Sequence, residues 1–154
     1  MKHLLIASTL ILSALTVSAC ASTAPEPDHK SISVSDSFVA TEARLRAAIG
    51  ARDLTLFTVI DHGAGATYVG RDIGQSKLFV FGNPEGGTPL LQASPEMGLD
   101  LPLKMLIFTD KSGKTRISYT DIKTLAARHN IEDQDERLKT IARMLKDVAK
   151  EAAG

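Results

Sequence analysis

His62 follows Asp61 at the end of an apolar run, LTLFTVID. An imidazole beside a carboxylate can act as a general base or a metal ligand. Neighbours on a strand point to opposite faces, so the two side chains need not touch. A histidine that ties down a loop by hydrogen bonds is the simpler reading. A second set of residues could hold an anion. Asn83 opens a turn, Gly86-Gly87-Thr88-Pro89 offers backbone N–H groups at a helix start, and Lys104 can supply a countercharge. That segment lacks the GxxxxGK[ST] pattern, and a capped helix needs the same residues for structure alone. Gly63-Ala64-Gly65 lacks the third glycine of a dinucleotide loop. No HxxxH, HxH or CxxC spacing occurs; His29 and His129 stand far along the chain from His62. No metal or other cofactor is therefore expected. No GxSxG elbow supports a hydrolase. Cys20 is the one cysteine, so it can neither close an internal disulfide nor build a cysteine metal site.

These residues need elements to position them. Ser31 to Ser35 alternates apolar and serine residues as an edge strand does. Ser37 can cap a helix running to about Ala51, with Leu45, Ala48 and Ile49 as its apolar stripe. Leu54 to Asp61 reads as a well-buried strand, being apolar, β-branched and aromatic. HGAGATYVG predicts a short helix ended by Gly70, and KLFVFG a second buried strand. Thr88-Pro89 predicts the start of the next helix, kept short by Pro95. Leu103 to Thr109 and TRISYT predict a hairpin whose turn, DKSGK, has Gly113 at positive φ. Ile117 and Tyr119 then share one face, Arg116 and Ser118 the other. Tyr119 most simply packs within the sheet. Asp121 can cap a short helix ending near His129-Asn130. The last helix is predicted to start at Asp133, with Leu138, Ile141, Leu145, Val148 and Ala152 on one face. The sum is an α+β domain, a mostly antiparallel sheet with helices packed on one face.

The first thirty residues give an address. Lys2 precedes an apolar run from Leu4 to Val17, and no acidic residue occurs before Glu26. That is the pattern of a secretory signal, over residues 1–19. Val17-Ser18-Ala19-Cys20 resembles the lipobox of bacterial lipoproteins, which implies cleavage before Cys20 and acylation of its sulfur. Two or three acyl chains would anchor the chain stably. Ala21 rather than aspartate after the cysteine favours the outer membrane, facing the periplasm. Residues 20–29 then form a lipidated tether rich in proline and small residues, and residues 30–154 a single domain. Removing Lys2 with the signal leaves 17 basic against 18 acidic residues. Near-neutral charge gives no grip on nucleic acid, so no nucleic-acid partner is expected.

Four segments, VIDHGAGA, FGNPEGGTPLLQ, LDLPLKMLIF and ISYTD, resemble in order and spacing the family called domain of unknown function 302. The resemblance covers roughly residues 31–150. It implies a TBP-like β-α-β(4)-α fold, often assembled as a homodimer, and it implies no reaction. Gly63 and Thr67-Tyr68 stand where the family pattern has alanine-rich helix.

The expected protein is a cell-envelope lipoprotein whose domain binds a small anionic or amphipathic ligand without catalysing a reaction. His62, Asn83, Thr88 and Lys104 are its candidate ligand-binding residues and Cys20 its lipidation site. Its expected partners are the membrane, through the lipid anchor, and a second copy. A His62-dependent enzyme and a dimeric envelope interaction module are the alternatives.

Overall fold

The computed structural model describes residues 28–154; Cys20 and the expected signal lie outside them. Five strands form one sheet: β1 His29–Ser33, β2 Thr55–Asp61, β3 Ser76–Gly82, β4 Leu103–Thr109 and β5 Thr115–Thr120. The spatial order is β1-β5-β4-β3-β2 and every neighbouring pair is antiparallel. The helices are α1 Phe38–Gly50, α2 His62–Tyr68, α3 Pro84–Ala93, α4 Ile122–Arg128 and α5 Asp135–Ala153. Stripped of α2, α3 and α4, this is the β-α-β(4)-α arrangement. β1 takes up His29, the last residue of the expected tether.

One face of the sheet is the core. Phe79, Phe81, Met105, Ile107 and Ile117 are fully buried there, against Leu45 and Ile49 of α1 and Leu145 and Val148 of α5. The alternation of β4 and β5 sorts the residues, since side chains two apart share a face. Leu103, Met105 and Ile107 point in, with Thr115, Ile117 and Tyr119 beside them. Lys104, Leu106, Phe108, Arg116 and Ser118 are only half-buried on the opposite face. The turn between the two strands places Gly113 at φ 81°, as the DKSGK pattern requires.

Three local expectations are corrected. β2 is an edge strand, not a buried one: Phe57 is 51% and Ile60 44% exposed, while only Leu56 and Val59 lean on the core. Its composition matches a buried strand, but strand order leaves one of its edges without a partner. Helix α3 starts at Pro84, not at Thr88. Asn83-Pro84 carries the same cap-then-proline pattern five residues earlier, and the Asn83 Oδ1 accepts from the Glu85 N–H at 2.7 Å. Pro89 inside α3 cannot donate to the Glu85 carbonyl, which instead accepts from Arg137 at 3.3 Å. Helix α5 starts at Asp135, because Asp133 sits at φ 57°, outside the extended geometry that a cap needs.

Candidate functional site

The connection from β3 to β4 builds an apolar hollow. β3 ends at Gly82, and Asn83 turns the chain into α3. The Asn83 amide is fully engaged: Oδ1 caps α3, and Nδ2 donates to the Asp53 carbonyl and carboxylate, each at 2.9 Å. Leu90 of α3 and Met97 of the 3₁₀ turn Pro95–Leu99 are fully buried and anchor the excursion to the core. Between these anchors lies a cleft of about 380 Å³. Phe57, Leu91, Leu101, Pro102 and the backbone of Gly82, Gly87 and Gly98 form most of its wall. Asn83 and Thr88 are its polar side chains, and none of its lining residues is titratable. A hollow of this size and polarity suits an apolar group larger than a few atoms.

A charged cluster lies directly behind the wall. Asp100 precedes Leu101, and its carboxylate takes both Arg128 Nη1, at 2.9 Å, and His129 Nε2, at 2.7 Å. Arg128 Nη2 reaches on to Asp28 at 2.9 Å, so α4 ties the start of β1 to the cleft wall. Burial acts to raise the Asp100 pKa, but His129 and Arg128 outweigh it and hold the carboxyl below the usual aspartate value. Lys104 Nζ donates to the carbonyls of Asp100 (2.7 Å) and Pro102 (3.0 Å). Burial pulls its ammonium below the usual lysine value, against the opposing charge of Asp100.

Three of the four candidate residues thus gather at one end of the sheet. Asn83 and Thr88 line the cleft, and Lys104 braces the loop that closes it. His62 does not join them. It opens α2 at the opposite end of β2, about 20 Å away along a seven-residue strand. His62 is exposed. Asp61 turns instead to the Ala64 N–H (2.8 Å) as the cap of α2, and lies 3.8 Å from Lys77. The anion-cradle geometry expected of Gly86 and Gly87 is already consumed. Both N–H groups donate to the Asn83 carbonyl, and Glu85 places a negative charge in the same turn. Gly63-Ala64-Gly65 also has a packing reason: a Cβ on Gly63 would lie 2.8 Å from the Gly74 carbonyl oxygen. Among the described residues, no group of three or more histidine, cysteine or acidic side chains could hold a metal ion.

Sequence reasoning missed Phe57, Leu91 and Leu101 as cleft residues, because nothing in their spacing separates a cleft wall from a core. It also read His129 only as a helix terminus. Its pairing with Asp100 spans 29 residues, and no local pattern announces it.

Known proteins place this fold. The crystal structure of an uncharacterized conserved DUF302 protein from Bacillus stearothermophilus superimposes with a TM-score of 0.73, covering 80% of this chain and 97% of that one. Identity over that match is 18%, which speaks to the fold alone. Fluoride-specific ion channel FluC 1 of Brucella suis is 37% identical over 115 residues, 74% of this chain and 45% of that protein. Proteins named FluC 1 in Brucella abortus and FluC 2 in Brucella melitensis match at the same identity over 43% of their length. The chain therefore spans less than half of these relatives, and the channel activity in their names stays with them. The model of one family, described as domain of unknown function DUF302, matches residues 30–152. With that match over most of its length and the same fold in a solved member, the chain belongs to the DUF302 family.

Proposed function

We propose that this chain is a lipid-anchored envelope protein whose domain binds a small amphipathic ligand by its apolar part, without catalysing a reaction. The observation that carries the reading is the apolar cleft between α3 and the Gly98–Pro102 loop. Its wall offers no acid, base or nucleophile pair, which favours binding over chemistry. Two of the expected residues, Asn83 and Thr88, stand at its polar side. Lys104 contributes by bracing the loop through two carbonyls rather than as a free countercharge. The anionic alternative for the ligand is weaker, since the Gly86 and Gly87 N–H groups are spent inside α3. The lipobox-like Val17-Ser18-Ala19-Cys20 supports the anchor, and Ala21 an outer-membrane station facing the periplasm.

Saturated fatty acids from hexanoate to tetradecanoate test the cleft in solution, using the domain without its anchor. Each methylene buried should tighten binding about fourfold until the cleft is full. Gly87→Leu, whose side chain starts 3.5 Å from Leu101 and grows into the hollow, should abolish the dependence on length. Affinity that ignores chain length, in the parent and the variant alike, would remove the reading.

A second reading, homodimerisation, has its own observation. Phe57 and Ile60 lie exposed on the unpaired edge of β2. Half-buried Leu78, Leu106 and Phe108 continue that surface across the sheet. An open strand edge beside apolar side chains is a template for a second copy.

A further inference from the structure

The cleft and the root of the tether share one pole of the domain. β1 begins at His29, opposite Thr120, at the end of the sheet where β4 begins and β3 ends. Asp28 is held there by Arg128, Arg128 by Asp100, and Asp100 is bonded to Leu101 of the cleft wall. Two ion pairs and one peptide bond thus separate the tether root from the hollow. Covalent geometry limits what lies beyond. Eight residue steps from Cys20 to Asp28 span at most about 28 Å. A domain of this size is roughly 35 Å across. An anchor at Cys20 therefore cannot reach around to the far pole, and the pole carrying Asp28 is kept within about 28 Å of the bilayer.

That pole is also dressed for contact with lipid. Leu99, next to Gly98 of the cleft wall, is 80% exposed, and Phe57 and Leu91 of the wall are partly exposed too. The other pole holds α2, His62 and the chain turn after Ser33. We propose that the cleft opens onto the anchoring leaflet and takes one acyl chain of a bilayer phospholipid, with Leu99 seated at the membrane surface. The inference deepens the binding reading above and rests on acylation of Cys20. Attraction at the cleft is apolar, because none of its lining residues is charged and Arg128 and Lys104 are held by Asp28, Asp100 and backbone carbonyls.

The test uses the full chain, matured from its own leader and reconstituted in vesicles of phosphatidylethanolamine and phosphatidylglycerol. An acylated Cys20 leaves an introduced cysteine as the single labelling site. An environment-sensitive dye at Leu99→Cys should shift to the blue and be quenched by bromine-labelled acyl chains. The same dye at Tyr68→Cys, 92% exposed on the far pole, should show neither change. A phospholipid carrying a photoreactive group in its acyl chain should crosslink to Phe57, Leu91 or Leu101, and Gly87→Leu should remove that crosslink while the protein stays anchored. Equal dye responses at both poles, or crosslinks confined to the N-terminus, overturn the inference. The mass of the matured chain reads acylation separately, and fatty-acid titration in solution reads the cleft separately. An unmodified Cys20 would thus sink the anchor reading, and absent solution binding the cleft reading. Loss of the membrane contact with both intact would sink this inference alone.

Discussion

Two glycines of α2 show how one residue type carries opposite meanings. A Cβ on Gly63 would meet the Gly74 carbonyl oxygen at 2.8 Å, whereas one on Gly65 meets nothing within 4 Å. Helix propensity alone favours alanine over glycine by about 1 kcal/mol at either site. At Gly63 a clash with backbone, which cannot swing aside, outweighs that gain. Gly63→Ala should lower stability by about 1–2 kcal/mol and Gly65→Ala should raise it by about 0.5–1 kcal/mol, read by thermal unfolding. Asp100 gives a prediction in pH. Its folded pKa lies below the ordinary 3.8, so its pairing stabilises the fold above that value and the contribution is lost as pH falls through the folded pKa. Asp100→Asn should therefore cost about 1–2 kcal/mol at neutral pH in urea unfolding. The cost should shrink as pH falls through the folded pKa, below which the parent carboxyl is itself protonated. A penalty that did not change with pH would show that Asp100 acts by packing alone.

At the scale of elements, α3 is the piece on which the cleft depends. Its first turn is held by one side chain, Asn83, which caps the helix and ties it to Asp53 of the loop before β2. Asn83→Ala should cost about 1–2 kcal/mol and lower ligand affinity with it, because the cleft wall loosens when the cap goes. Calorimetric unfolding and the fatty-acid titration measure the two effects on the same protein. Unchanged affinity in a destabilised variant would show that the far anchors, Leu90 and Met97, position the wall by themselves. The elements were read well from sequence where local chemistry decides them. Ser37 and Asp121 cap the helices expected of them, and Gly113 takes its positive φ. The start of α3 was misread because two cap-proline pairs lie five residues apart. The chain uses the earlier pair, and Arg137, 52 residues away, donates to the carbonyl that Pro89 leaves free.

For the whole molecule, strand order puts β2 at the edge and so sets what the surface can do. Ile60→Lys should leave monomer stability within about 0.5 kcal/mol, because the side chain is already exposed. If β2 joins a second copy, the same change should turn a sedimenting dimer into a monomer. A parent protein that sediments as a monomer at micromolar concentration would remove the dimer reading.

The sequence by itself determined the class of fold, most element boundaries and the core face, because hydrophobic period, caps and turn glycines are local. It named Asn83, Thr88 and Lys104 as candidates together with His62, but which of the four come together was left to the fold. Only the tertiary structure decided the rest. It placed His62 at the far pole, since strand direction rather than residue type fixes which loops meet. It made β2 an edge through a strand order that apolar composition does not encode. It brought Asp28, Arg128, Asp100 and His129 together across gaps of up to 100 residues. Pairings that long are settled by the packing of a whole chain, and no short stretch of residues records them.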